Sequence, residues 1–314
     1  MKKRERQVED YESSGIPRWI KWILVGFIAL VMIGLGFRDY QSSQVVLYPQ
    51  YRFNIAIIGI DSGVTFVSYD PAERSILTIP FPNDLAINSR TSGEYSISSL
   101  YKLGSYKGQG GMFARQKIQG FMRVPVPGYL VVNKVNKVTR SQLIRNLVAV
   151  MLHPKSPDSS LSRLDAALLL YRTSRYSLRE VGEDELIRAG VINNKTYYPE
   201  RLQEYVGSRL FDWGIGATGI TVAITNASGE NGLGSDMADF LSNLGFDVVM
   251  VRSTTSKELL ENTEWQVSNE GSAKKLGYIF QNLFGLDNPK IENVPSEYRS
   301  EVFIQVGKDA KDLF

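Results

Sequence analysis

Two aspartates follow strand-like segments and are the first candidates for chemistry in this sequence. Asp61 directly follows the apolar run NIAIIGI of residues 54–60, and Asp84 comes shortly after RSILTI of residues 74–79. A strand as apolar as the first does not need Asp61 for its own stability. The carboxylates therefore either take part in a site or serve as turn caps and solvated groups at the edge of a sheet.

The segment between these two runs predicts that both aspartates lie at one edge. Residues 64–69, VTFVSY, read as a strand that is joined to its neighbours by the short turns 61–63 and 70–73. Short connections make neighbouring strands antiparallel, so the first and third strands run in the same direction. Asp61 and Asp84 are then expected at the same edge of the sheet.

Residues for other kinds of catalysis are scarce. The chain has no cysteine, which excludes a thiol nucleophile, a disulfide and a thiolate metal site. Its one histidine, His153, lies in LHPKSPD, whose composition is typical of a loop. A serine–histidine hydrolase would depend on it, and a centre with several histidines is excluded; we interpret His153 as a surface residue.

The composition is that of a globular protein. The 314 residues suffice for one large or two ordinary domains, and 43% hydrophobic with 22% charged residues are common values. The net charge of +3 is too small to indicate a nucleic-acid partner.

The N-terminal region predicts a single membrane anchor. Residues 22–37, WILVGFIALVMIGLGF, carry no charge, and Trp19 and Ile20 extend the apolar stretch beyond Lys21, close to the roughly 17 residues that a spanning helix needs. Residues 1–21 are rich in Lys and Arg, which predicts a cytoplasmic tail. A cleaved signal peptide is the alternative, but no small-x-small site follows Phe37.

The predicted organisation is therefore a tail (1–21), a transmembrane anchor (22–38), a polar linker (39–50) and two extracytoplasmic α/β domains.

Within the first domain, residues 101–134 read as a glycine-rich loop, a helix with a basic face and a strand, and 141–152 and 160–173 read as helices. Lys102 and Lys107 flank the loop; a phosphate site there is the weaker interpretation and a plain helix start the stronger. The basic face (Arg115, Lys117, Arg123) is expected to be solvated. The structure of 185–213 is not predicted.

A second domain is predicted after the flexible sequence GIGATG. Residues 221–225 read as a strand, and a helix with Leu233, Met237 and Phe240 on one face follows and stops at Gly245. Another strand, a helix near 271–284 and a strand at 301–306 complete a small α/β fold. The predicted domains span 51–216 and 217–314.

These segments resemble a known family. NIAIIGID, SILTIPFPNDLAI, ISSLYKLG and RQKIQGFMRVPVPGYLVV occur in an order that resembles the LytR-CpsA-Psr family of membrane-anchored cell-envelope proteins. VAITNASGENGLGSDMADFLSNLGFDVV, followed by FIQVGKD, resembles the C-terminal domain often fused to that family. The resemblance implies a mixed-sheet α/β domain followed by a smaller α/β domain.

The resemblance also implies a chemistry. Proteins of this family bind polyprenyl-pyrophosphate-linked glycopolymers and transfer the glycopolymer phosphate to peptidoglycan or a protein. Aspartates handle a magnesium ion and arginines hold the pyrophosphate, which suits the preference of magnesium for oxygen ligands and of guanidinium for phosphate. Asp61 and Asp84 match the family's aspartates and are the implied catalytic and magnesium-binding residues, and Arg163 in LSRLDAALLL matches one of its arginines.

The chain departs from the family pattern where the arginines should be. Asn83 follows Pro82 in place of the arginine of the family's turn, and Ala166 and Ala167 occupy further arginine and glutamine positions. Each charge-assisted bond to phosphate contributes on the order of 1.5–3 kcal/mol, so the loss of two weakens the catalytic interpretation. Arg90, Arg172 and Arg175 are available as substitutes, although nothing in the sequence positions them.

The sequence thus favours a protein that binds or scaffolds a lipid-linked or wall glycopolymer through a degenerate site. Its expected partners are the membrane, a polyprenyl phosphate or pyrophosphate lipid and peptidoglycan or its glycopolymers, with no nucleic acid. One alternative is an active magnesium-dependent glycopolymer phosphotransferase that uses Asp61, Asp84 and Arg163. Another is an envelope-anchored regulatory or interaction protein.

Overall fold

A computed structural model describes residues 43, 49–89, 93–135, 137–152, 158–193, 196–210, 212–254, 258–283 and 286–313. The chain from Ser43 onward forms one compact unit. The predicted tail and anchor lie outside the described residues, as do Arg90, His153 and most of the linker. Within the described ranges, no helix is both long and apolar enough to cross a bilayer.

The strands of the described residues are named in chain order. They are β1 Phe53–Gly59, β2 Val64–Asp70, β3 Ser75–Pro80, β4 Ala86–Ser89, β5 Gly93–Ser96, β6 Gly128–Val132, β7 Ser177–Glu180, β8 Ile192–Asn193, β9 Thr196–Tyr197, β10 Thr221–Asn226, β11 Asp247–Ser253, β12 Glu264–Val267, β13 Lys290–Ile291 and β14 Val302–Val306.

The α-helices are named in the same way. They are α1 Leu100–Ser105, α2 Gly110–Met122, α3 Arg140–Leu152, α4 Arg163–Arg175, α5 Glu183–Arg188, α6 Pro199–Leu210, α7 Trp213–Gly216, α8 Leu233–Leu244 and α9 Glu270–Gly277. A turn of π-helix, Tyr278–Leu283, extends α9. Short 3₁₀ helices lie at Ile97–Ser99, Ser296–Tyr298 and Lys308–Asp312.

The first sheet is mixed. Its described strands have the order β6-β1-β2-β3-β7, with β2 antiparallel to both β1 and β3, and with β6 and β7 parallel to β1 and β3. Every residue of β1 is buried, because helices cover both faces of the sheet and the run of isoleucines packs on both sides. The predicted mixed-sheet α/β class is confirmed for the described residues, and β1 to β3 lie within one residue of their predicted bounds.

The second sheet has the order β11-β10-β14-β12-β13 in the part of the chain that the structure describes. β10 runs parallel to β11 and β14, and α8 connects β10 to β11. The predicted stop of α8 at Gly245 is confirmed. This residue has φ +107° and caps the helix in the left-handed region, where glycine meets no steric penalty.

The segment 185–213, whose structure the sequence did not predict, connects the two sheets. Helix α5 and the small hairpin β8–β9 precede α6, which packs against both α2 and α8. The predicted boundary between residues 216 and 217 falls after α7 and before β10. It stays a prediction, because the two sheets belong to one compact unit.

Buried charges join the two sheets. Arg52, just before β1, forms a buried ion pair with Asp70 at the end of β2. The Arg52 backbone N–H donates to Asp212 Oδ2 at 2.7 Å, and Asp212 Oδ1 accepts from Gly214 N at 2.8 Å at the start of α7. Burial raises the pKa of Asp212, against the lowering effect of these backbone N–H groups and of Arg52. The start of the first sheet is therefore tied to the segment that leads into the second.

A second contact between the two halves of the described structure shows that one prediction from the sequence was wrong. The basic face of α2 was expected to be solvated, but Arg123 pairs with Asp236 and Asp239 on α8, at 2.7 Å from Asp236 Oδ1. Lys117 is buried, and Arg115 donates to the carbonyl of Val126 at 2.9 Å. The expectation was wrong because α8, more than a hundred residues away in sequence, covers the end of this face. We use the name seam for two sets of contacts: those of Arg52 with Asp70 and Asp212, and those of Arg123 with Asp236 and Asp239.

Candidate functional site

The site predicted by the sequence lies at the edge where four strands of the first sheet end. β1 and β3 both run toward this edge because β2 is antiparallel to each, and their parallel neighbours β6 and β7 end there as well. In α/β sheets, ligands bind outside the carboxyl ends of parallel strands. Asp61 follows β1 and Asp84 follows β3, so the strand directions predicted for the two aspartates are confirmed. We call this edge, with residues 60–63 and 81–85, the aspartate edge.

The two loops of the aspartate edge touch each other. Gly63 N donates to Asn83 Oδ1 at 2.7 Å, and Gly59 N donates to the Gly63 carbonyl at 3.1 Å, which closes the first turn. A Cβ at position 63 would lie 2.8 Å from the Phe81 carbonyl oxygen, so only glycine fits this approach. In the sequence, Asn83 was notable only because it replaces the arginine of the family's turn. In the structure, its side chain holds the two loops together.

Asp61 is paired with a lysine. Its Oδ1 lies 2.7 Å from Lys102 Nζ on α1, and both side chains are more than half exposed. The hydrogen bond to Asp61 and the charge of that carboxylate raise the pKa of Lys102. The sequence identified Lys102 only as a flank of the glycine-rich loop, because nothing in the spacing indicates that α1 reaches this edge. An ammonium group therefore sits at Asp61, where the family resemblance implies a metal ion.

The described residues fit a magnesium ion poorly. Asp84 is exposed, and its side chain makes no hydrogen bond or ion pair with any other described residue. Within the described ranges, no three acidic or histidine side chains gather to hold a metal. Magnesium needs several oxygen ligands in a near-octahedral arrangement. It would have to displace Lys102 from Asp61 and take most of its ligands from a substrate or from water.

Arg163 is not brought together with the two aspartates. It opens α4, where Ser162 and Asp165 form a capping box at the helix N-terminus. Leu161 lies against Gly128, at the start of β6, and Gly128 pairs with Ile55. From Ile55, β1 runs about 13 Å further before the loop that carries Asp61. Arg163 is thus near the opposite end of the strands, where β1 and β6 begin.

The substitute arginines are also engaged elsewhere. Arg172 is buried, its Nη2 donates to the Pro49 carbonyl at 2.8 Å, and burial lowers its pKa. The guanidinium of Arg175 stacks over the Tyr171 ring at 6.0 Å. Among the residues that the structure describes, no arginine forms an ion pair with Asp61 or Asp84.

An apolar cluster lies beneath the aspartate edge. Phe66 and Ile79 of the sheet pack with Phe81, Ile118 and Phe121 in one buried cluster, and the rings of Phe81 and Phe121 meet edge to face at 6.0 Å. A protein that encloses a polyprenyl chain needs a deep apolar pocket between sheet and helices. In this region, the described side chains of the cluster pack against one another and are shielded from water.

Comparisons with known proteins agree with the resemblance in the C-terminal region. Residues 219–309 match the family model described as LytR cell envelope-related transcriptional attenuator, a stretch that runs from just before β10 to just after β14. The LytR-type C-terminal domain predicted from the sequence is confirmed by this match. No curated protein matches the chain.

Solved structures similar to this chain include one named LytR-CPS2A-psr family protein YwtF (TagT) with bound octaprenyl pyrophosphate lipid. It has 15% identity and a TM-score of 0.32 over 49% of this chain and 87% of that one. TagV of B. subtilis has 12% identity and a TM-score of 0.33 over 49% and 94%. A structure named TagT bound to LIIa-WTA has 11% identity and a TM-score of 0.23 over 76% and 92%. The first of these proteins carries in its name the family that the N-terminal motifs suggested. TM-scores below 0.5 establish neither a shared fold nor a shared function.

Proposed function

We propose that this chain is an extracytoplasmic cell-envelope protein that binds or scaffolds a lipid-linked or wall glycopolymer, and that its LytR-CpsA-Psr-type site is degenerate. The match of residues 219–309 to a cell-envelope family model supports the compartment. The apolar run 22–37 with its basic flank supports a single-span anchor with the N-terminus in the cytoplasm.

The observation that most directly supports a degenerate site is the ion pair between Lys102 and Asp61. A pyrophosphate site built for transfer needs several guanidinium groups, because the fork of arginine matches phosphate oxygens and stabilises the charge of the transition state. At the aspartate edge, Lys102 pairs with Asp61, and the described arginines make their contacts elsewhere. Such an edge suits the recognition of a polar or charged group better than its transfer.

The test is native mass spectrometry of the full chain extracted in detergent. Octaprenyl-type phosphates and pyrophosphates are the masses to seek, since YwtF is named with octaprenyl pyrophosphate. We expect a lipid-linked glycan or its lipid carrier to co-purify with the wild-type chain and to be lost from Asp61→Ala, with no measurable change in the unfolding free energy. Recovery of the same lipid from Asp61→Ala would contradict a role for this carboxylate in the site.

A matched control is Asp247→Ala, which removes an exposed carboxylate at the start of β11 in the other sheet. It should retain the lipid. A folded wild-type chain without lipid or glycan would contradict the proposal and would favour an envelope-anchored interaction protein, whose partners are then sought by crosslinking.

The active phosphotransferase is the second candidate, and the shared edge of Asp61 and Asp84 favours it. In this mechanism both carboxylates would hold magnesium, and Lys102 would leave Asp61 to contact the substrate phosphate. Incubation of the purified chain with a polyprenyl-pyrophosphate-linked glycan, peptidoglycan and magnesium tests it. Transfer that is abolished by EDTA and by Asp84→Ala would establish the enzyme and overturn the degenerate site.

A further inference from the structure

A polar cleft of about 230 Å³ lies on the other face of the same sheet, between the segment that follows β6 and helix α3. Six polar side chains line it: Asn133, Lys134, Lys137, Gln142, Arg145 and Asn146. Its apolar lining comes from Ile57 and three valines. Nothing in the sequence marks these residues as functional, because Lys134 and Arg145 belong to different segments that only the fold brings together.

The charge of the cleft is positive. Lys134 and Arg145 are exposed, and neither forms an ion pair with any carboxylate among the described residues. Lys137 Nζ lies 2.9 Å from Glu180 Oε2, in a pair that water reaches. Three cations thus face one carboxylate. Such a cluster repels itself when no anion is present, and it favours an oxyanion.

The amide side chains add hydrogen-bond donors and acceptors. Gln142 Oε1 accepts from Thr139 N at 2.8 Å and from Thr139 Oγ1 at 3.2 Å, which leaves its Nε2 to donate to a ligand. Asn133 and Asn146 present the same two groups. Amides beside cations suit a ligand that carries hydroxyls next to an anionic group.

The wall of the cleft is held in place. Val135 N donates to the buried Ser62 Oγ at 2.8 Å, which ties the cleft to the loop that carries Asp61. At about 230 Å³ the cleft is smaller than the roughly 300–1,000 Å³ that enclose drug-sized ligands, so it accommodates one unit of a longer molecule. None of its lining residues is a large exposed hydrophobic side chain, which a membrane-binding surface would need.

We propose that this cleft binds an oxyanion, phosphate or carboxylate, that is carried on a sugar or polyol unit of an anionic glycopolymer. This inference rests on the proposed function and adds to it a second contact on the opposite face of the sheet from Lys102. The polymer is then held by its backbone at the cleft, independently of any lipid at the aspartate edge.

The test compares two charge-matched double variants of the full chain in detergent by isothermal titration calorimetry. Lys134→Gln/Arg145→Gln removes two cations of the cleft, whereas the control, Arg201→Gln/Lys274→Gln, removes two exposed cations that lie outside it. The probes are oligomers of glycerol phosphate and of galacturonate, with neutral dextran as the uncharged reference. We expect the dissociation constant of at least one anionic oligomer to rise at least about tenfold in the cleft variant. The control should match the wild type, and dextran should not bind.

Three results would overturn the inference. One is equal binding by the cleft variant and the wild type. Another is an equal loss in the control variant, which would reveal only a general charge effect. The third is competition by vesicles of anionic phospholipid at the cleft, abolished in the cleft variant, which would assign the cations to a membrane surface.

The inference and the proposed function fail in different ways. Lipid that co-purifies, together with oligomer binding that survives in the cleft variant, would refute the cleft and keep the function. Binding of inorganic phosphate that depends on Lys134 and Arg145, without any glycan or lipid on the purified chain, would support the anion site and refute the proposed function.

Discussion

Aspartates pair with basic side chains both at the aspartate edge and at the seam. The two regions differ in how deeply these pairs are buried, and therefore in how much the pairs contribute to stability. At the edge, Asp61 and Lys102 are more than half exposed, so water screens their attraction and the pair contributes little to stability. At the seam, the side chains of Arg52 and Asp70 are 8% and 5% exposed, and each depends on the other for compensation of its charge.

This difference indicates how the chain uses its arginines. Arg52 and Arg123 fix the first sheet to the segment before β10 and to α8, while a lysine occupies the edge. A lysine presents a single, strongly hydrated charge, whereas an arginine presents a planar fork for phosphate. The guanidinium groups of the seam therefore serve the fold and are unavailable to a phosphate ligand.

The largest effect is expected when the seam loses Arg52. Arg52→Met leaves Asp70 buried without its cation, and we expect the unfolding free energy to fall by about 3–5 kcal/mol. Urea unfolding followed by circular dichroism measures it. The double variant Arg52→Met/Asp70→Asn should recover part of the loss, because the neutral amide keeps an oxygen that can accept from Ala72 N and Glu73 N. A loss of less than about 1 kcal/mol for Arg52→Met would erase the contrast between seam and edge.

A smaller and more selective effect is expected at Arg123. Asp236 is 5% exposed and Asp239 is 51% exposed, although both carboxylates pair with the same guanidinium. Asp236→Asn should therefore lower the unfolding free energy by about 2 kcal/mol, and Asp239→Asn by about 0.5 kcal/mol or less. Thermal unfolding of the two variants side by side measures the difference. Equal effects would show that burial does not set the strength of these pairs.

A smaller effect than that of Asp236→Asn is expected at Glu185, which is intermediate in exposure. Burial pushes the pKa of Glu185 upward, but the hydrogen bond from Tyr205 and the charges of Arg179 and Arg209 outweigh it and bring the pKa below the ordinary 4.5. Its stabilising contribution is therefore complete above pH 4.5 and is lost as the pH falls through the lower folded-state value. Solvent screening limits this contribution to about 0.5–1 kcal/mol.

Urea titrations at neutral pH and at about pH 3 check this prediction against Glu185→Gln. The gap in unfolding free energy between the two proteins should narrow as the pH falls. Glu183→Gln on the same helix is the control, since this carboxylate makes no ion pair among the described residues. A gap that widens in acid would reverse the sign of the pKa shift.

Local signals predicted the part of the fold that carries the aspartates. The isoleucine-rich run before Asp61 and the two short turns leave only antiparallel pairing for β1, β2 and β3, so the common edge followed from the sequence. Gly245 marked the end of α8 for an equally local reason, its left-handed φ. In contrast, the placement of Arg163 depends on how the segment after β6 crosses the sheet, which no local signal encodes.

The sequence by itself thus determined β1 to β3 with their turns, the two aspartates at one edge and the LytR-type C-terminal domain, because each depends on neighbouring residues or on a contiguous motif. Tertiary structure alone decided which charges meet. Arg123 pairs with Asp239, which lies 116 residues further along the chain. Lys102 on α1 pairs with Asp61, and Arg145 on α3 lines the same cleft as Lys134. The physical reason is that an ion pair or a cleft depends on distance and burial in space, and the packing of helices and sheets sets both.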